Sequence, residues 1–123
     1  MKALFSLAAI ALFAAPVHAN CTYPTPPAKL PDGRTAALAD MVAAQKEVKA
    51  FDELITAYTA CIKLEESAQL EKGGDKLTAE QKSAIEQQQA QKNNAAVDED
   101  QKIADRFNEQ IRIFKARSAP PKG

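Results

Sequence analysis

The chain has 123 residues, with 16 Lys+Arg against 16 Asp+Glu, and its single histidine is His18. That balance supplies no electrostatic footprint for nucleic acid or for an anionic membrane surface. With no tryptophan and only 6% aromatic residues, the chain lacks the bulk for a wide core, so one thin domain is expected.

The first element is a leader. Met1-Lys2 is a short basic start, Ala3 to Ala15 is apolar with only Ser6 inside it, and Pro16 breaks the run. Val17-His18-Ala19 then presents small or tolerated residues at a cleavage position. This anatomy predicts a bacterial secretory signal peptide over residues 1–19, cut after Ala19, because the apolar stretch is too short to anchor in a bilayer. The mature chain is expected to start at Asn20 in the periplasm or outside the cell. Asn20 stands where lipid attachment to Cys21 would need Gly, Ala or Ser, so no lipid anchor is expected. Loss of Lys2 leaves one more acidic than basic residue, and no later segment predicts membrane insertion.

Residues 20–34 read as an extended arm. Pro24, Pro26, Pro27 and Pro31 exclude helix and favour polyproline II. Pro31-Asp32-Gly33 is a turn signal, after which Asp32 or Thr35 is placed to cap a helix. In an oxidising compartment the two cysteines, Cys21 and Cys61, read as one disulfide, with pairing between chains as the alternative. Reach permits the intramolecular bond. Cys61 lies about 39 Å along a helix begun at Thr35, and residues 21–34 cover about 43 Å in polyproline II form. The arm must then run back along the helix nearly fully extended, which would lay Tyr23 and Leu30 in a groove as a third layer.

The first helix is predicted over about 35–72, free of proline and glycine. Ala37, Met41, Ala44, Val48, Phe51, Ile55, Tyr58 and Ile62 alternate in steps of four and three, a heptad seam of the coiled-coil kind. Glu65 and Gln69 end the apolar register. Gly73-Gly74 reverses the chain, and Thr78 with Gln81 forms a capping-box pattern opening a second helix over about 78–117. Its predicted seam is Val97, Ala104, Phe107, Ile111 and Phe114, with Ile103 and Ile113 beside it. Gln87-Gln88-Gln89-Ala90-Gln91 and Asp98-Glu99-Asp100 read as solvated faces. Successive helical residues diverge by about 100°, so the three acids do not converge on one cation. Residues 118–123 form a flexible tail.

The fold class expected is all-α: a long antiparallel two-helix hairpin, with its Pro-rich arm stapled by Cys21–Cys61. Phe51, Tyr58, Phe107 and Phe114 are the expected core. Val48 and Ile55 look only partly balanced by the partner helix, which would favour self-association. Loss of His18 and oxidation of both cysteines remove the Ser-His and Cys-His pairs used in nucleophilic catalysis. They also remove the favoured zinc and copper ligands. No catalytic residue, cofactor or metal is expected, and the glycines lack the flanking strand and Lys-Ser/Thr of a phosphate loop.

Leu77-Thr78-Ala79-Glu80-Gln81 resembles the LTxxQ motif of the Spy/CpxP-type periplasmic proteins. That resemblance covers five residues and one copy of a motif the family carries twice, and it implies a chaperone or stress-adaptor role. A longer pattern comprises Cys21, the spaced prolines, Pro31-Asp32-Gly33, Met41, Val48, Phe51, Tyr58 and Cys61. It resembles a loose group of uncharacterised small exported proteobacterial proteins, which implies the hairpin and the disulfide and no activity. The function expected is non-enzymatic: binding to an unidentified protein partner, or to a second copy, in the bacterial cell envelope. A chaperone and a periplasmic inhibitor or immunity protein are the alternatives.

Overall fold

Two helices pack side by side in a computed structural model that describes residues 20–120. The expected leader over residues 1–19 and the last three residues of the tail lie outside the described residues. Helix α1 spans Leu38–Gly73 and helix α2 spans Ala79–Ser118, with a 3-10 turn at Gly74–Lys76 between them. At about 1.5 Å per residue the two arms are about 54–60 Å long. No helix among the described residues is long and apolar enough to cross a membrane.

Each helix boundary has a local cause. Helix α1 begins at Leu38 rather than Thr35, because Asp32 closes a turn instead of capping a helix. The carbonyl of Asp32 accepts from the amides of Thr35 and Ala36 at 3.0 and 2.8 Å, and its carboxylate accepts from the Arg34 amide at 2.9 Å. The Arg34 guanidinium on that carboxylate holds it below the usual aspartate range. Ala37 is still extended, and its amide donates to Asp40 Oδ2 at 3.2 Å, so the first acidic residue of the helix satisfies the entry. At the far end Gly74 takes φ +49°, a left-handed value that glycine adopts without steric cost, and its amide donates back to Leu70 O. Thr78 then caps α2: its Oγ1 accepts from the Gln81 amide, while Gln81 Oε1 accepts from the Thr78 amide. Both hydrogen bonds of the expected capping box are present. Ser118 still belongs to α2, one residue past the expected end.

From Met41 onward the α1 seam is as the heptad pattern places it, whereas Ala37, its expected first member, is the exposed, extended residue before the helix. Met41, Ala44, Phe51, Ile55 and Ile62 are buried, and Val48 and Tyr58 are partly buried. Phe51 and Ile55 pack with Ala96 and Ile103 at mid-length. Nearer the open end, Met41 and Ala44 pack with Phe107, with Leu30, Ile111 and Phe114 partly buried around them. Val48 contacts both clusters and Ile55 is almost fully buried. The expectation that these two seek an outside surface is therefore corrected: α2 already covers them.

The α2 seam needs a second correction. Its fully buried residues are Gln89, Ala96, Ile103 and Phe107, while Val97 remains 48% exposed. The inward row runs through Gln89, Ala96 and Ile103, so Ala96 and Ile103 stand one position before the predicted Val97 and Ala104, while Phe107 is buried as expected and Ile111 and Phe114 are partly buried. Leu30 of the N-terminal arm packs as a third layer against the Met41–Ala44–Phe107 cluster.

Candidate functional site

The disulfide Cys21–Cys61 is formed, with 5.8 Å between Cα atoms and a sequence separation of 40. From there the arm returns along the hairpin as the reach calculation requires. Tyr23 packs edge-on against Tyr58 with ring centroids 5.1 Å apart, and Leu30 lies against the Met41–Ala44–Phe107 cluster. Glu65, where the apolar register stops, is a polar junction of all three layers. Its Oε1 accepts from the Cys21 amide at 2.9 Å, and its Oε2 lies 3.8 Å from Lys92 Nζ on α2.

The other end of the arm is clasped by α2. Gly33 is buried, and its amide donates to Gln110 Oε1 at 2.8 Å. A Cβ at this position would collide with the Gln110 carbonyl oxygen and stand 2.9 Å from the Phe114 amide nitrogen. Glycine is thus required by close approach of the turn to the α2 backbone. One turn on, Arg117 donates to the carbonyls of Arg34 and Ala36 at 2.8 and 2.7 Å, with its guanidinium 5.0 Å above the Phe114 ring. Sequence reasoning placed Phe114 here and missed Gly33, Gln110 and Arg117. The Pro-Asp-Gly turn was the available signal, but the surface it docks on becomes visible only in the folded chain. Gly33→Ala is expected to undock the turn and lower stability by about 1–3 kcal/mol, read as a lower urea midpoint; an unchanged midpoint would contradict the close packing.

A depression of about 330 Å³ between the two helices is lined by residues of α1 and α2 alone: Thr59, Ile62, Lys63, Glu66, Glu86, Gln89, Ala90, Asn93 and Asn94. Gln89 is 3% exposed, and neither of its amide atoms has a hydrogen-bond partner among the described residues. The glutamine run is therefore not uniformly solvated, since its third member sits in the seam. Asp100 corrects the acidic-cluster reading in the same way. Asp98 points to solvent, whereas Asp100 is half-buried beside Asp52 of α1. Burial, and then the hydrogen-bonding and charged Asp52 carboxyl, push the Asp100 pKa up. Among the described residues no group of three or more His, Cys, Asp or Glu is placed to hold a metal ion.

The outer face of α1 carries a second apolar row. Ala43, Ala50, Leu54, Ala57, Cys61, Leu64 and Ala68 recur in helical spacing, and all but the half-buried Cys61 are exposed. Leu54 and Leu64 flank the disulfide and are 53% and 72% exposed. This second row is faint in the sequence, because alanines contribute little to a hydrophobic pattern. No protein-family model, curated protein or solved structure matches this chain.

Proposed function

We propose that this protein is an exported, non-enzymatic helical hairpin that acts in the bacterial cell envelope by binding another protein through the outer face of α1. In this reading residues 1–19 are a secretory leader removed after Ala19, and Cys21–Cys61 is oxidised in the periplasm or outside the cell. The observation that carries the binding role is the exposure of Leu54 and Leu64 on either side of the staple. Large apolar side chains grouped on one face mark interaction surfaces more often than bare solvent-facing helix. The arm and α2 already bury the opposite seam, so this row is the part of α1 left for a partner or a second copy. The residue inventory favours contact over catalysis, since the only histidine falls in the leader and both cysteines are paired.

The chaperone alternative draws on Thr78 and Gln81, and both side chains are engaged in capping α2. The motif letters therefore have a structural use that needs no client. An inhibitor or immunity role predicts one tight partner at the same outer face.

Photocrosslinking from position 54 or 64 in living cells tests the proposal. A discrete adduct is expected from these positions, with none from exposed Asp105 on the back of α2. Equal labelling from all three would contradict it. Substoichiometric protection of several unrelated unfolded proteins from aggregation would replace it with the chaperone reading.

A further inference from the structure

The outer row of α1 has a symmetry of its own. Going outward from Thr59, Ala57 mirrors Cys61, Leu54 mirrors Leu64, Ala50 mirrors Ala68, and Glu47 mirrors Glu71. The steps along this series alternate between three and four residues, so all of it shares one stripe of the helix. Every member but the half-buried Cys61 is exposed. A stripe that reads the same in both directions suits an antiparallel pair of identical helices. In a two-fold interface each contact occurs twice, so side chains must match across the axis. An unrelated partner imposes no such mirror.

The side chains fit that pairing. With Thr59 level with the axis, Leu54 of one copy stands level with Leu64 of the other, and Ala50 with Ala68. The small Ala57 stands level with Cys61, which leaves room for the sulfur bridge to Cys21. Alanines let helix axes approach to about 8 Å, and opposed helix dipoles favour the antiparallel sense. Charge completes the match. Lys46-Glu47 begins the stripe and Glu71-Lys72 ends it; all four are exposed, and none is in an ion pair among the described residues. Reversal brings the two dipeptides together, so Lys46 lies beside Glu71 of the second copy and Glu47 beside its Lys72. A parallel pair would instead set Lys46 against Lys46 and Glu47 against Glu47.

We propose that the outer face of α1 binds a second copy of this chain, with the two α1 helices antiparallel and the two-fold axis level with Thr59. This occupant presupposes that the outer face is the binding surface, as argued above. The apolar part of the stripe, Ala50 to Ala68, is about 27 Å long. A contact of that length with few large side chains is at the small end of specific interfaces, so the dimer should form reversibly with concentration.

Sedimentation equilibrium of the mature chain at rising concentration should therefore show a monomer–dimer equilibrium. Leu54 is 53% exposed, so Leu54→Lys leaves the hairpin core intact, which circular dichroism checks. It should weaken the dimer at least about tenfold. Adding Leu64→Glu should recover most of that loss, because each new lysine then meets a glutamate of the other copy. A photocrosslinker at position 64 of the purified protein should join the peptide around Leu54 of the second copy, with no dimer adduct from Asp105. A monomer at every concentration up to about 1 mM, a double variant no tighter than the single one, or crosslinks from 64 to 64 would overturn the proposal. If the protein is a monomer yet position 64 captures a different protein in cells, the second copy is wrong and the outer-face reading stands. With neither dimer nor adduct, both fail.

Discussion

Phe51→Ala is expected to lose about 3–5 kcal/mol of stability, the cost of emptying a fully buried aromatic site. Phe51 is 1% exposed and lies against Ile55, Ala96 and Ile103. The small methyl of Ala96, itself fully buried, makes room for the ring between the helices. Neither helix can close the gap alone, because its hydrogen-bonded backbone does not bend to follow a lost side chain. Small domains have about 5–15 kcal/mol in total, so the variant should be largely unfolded or melt near ambient temperature. Phe51→Leu keeps most of the volume and should cost less than about 1.5 kcal/mol. Leu54→Ala, three residues on and exposed, should stay within about 0.5 kcal/mol. Urea titration followed by circular dichroism measures all three. Equal midpoints for Phe51→Ala and Leu54→Ala would mean that the seam is not where the packing places it.

What could be read in the chain before folding follows from how each face is composed. The α1 seam was legible because every position from Met41 to Ile62 in the register is apolar. The hairpin was legible because Gly73-Gly74 and the Thr78–Gln81 box interrupt two long helix-forming segments. Helix α2 was harder. Its inward positions include Gln89 and Asp100, so an apolar count drew the seam through Val97 and Ala104 instead. The arm itself was half legible: proline spacing and reach predicted its return along α1, whereas its anchor at Gln110 and Arg117 depends on contacts some 80 residues apart. Helix entry was misplaced because Asp32 is equally good at closing a turn and at capping a helix. The candidate surface at Leu54 and Leu64 went unseen because it is defined by what fails to cover it.

Cys61→Ser should remove about 2–4 kcal/mol, and its effect should be confined to one end of the arm. The cysteines have a sequence separation of 40, and closing a loop of that length is worth about 4 kcal/mol on the chain-entropy model. The native state also loses the support that holds Tyr23 on Tyr58 and the Cys21 amide on Glu65. The turn at Asp32–Gly33 has its own anchors, Gln110 and Arg117, and should remain docked. The variant is therefore expected to fray from Asn20 toward Lys29 while the clasp persists. Limited trypsin digestion separates the two parts: cleavage after Lys29 should accelerate sharply, and cleavage after Arg34 should change little. Dithiothreitol on the wild type should reproduce both effects, and the Cys21→Ser/Cys61→Ser double variant should match the single one, because a staple has no partial form. If reduction leaves the melting midpoint and the Lys29 cleavage rate unchanged, the arm is held by packing alone. The four prolines would then supply the stiffness that the disulfide is argued to provide, by reducing the freedom of the unfolded arm.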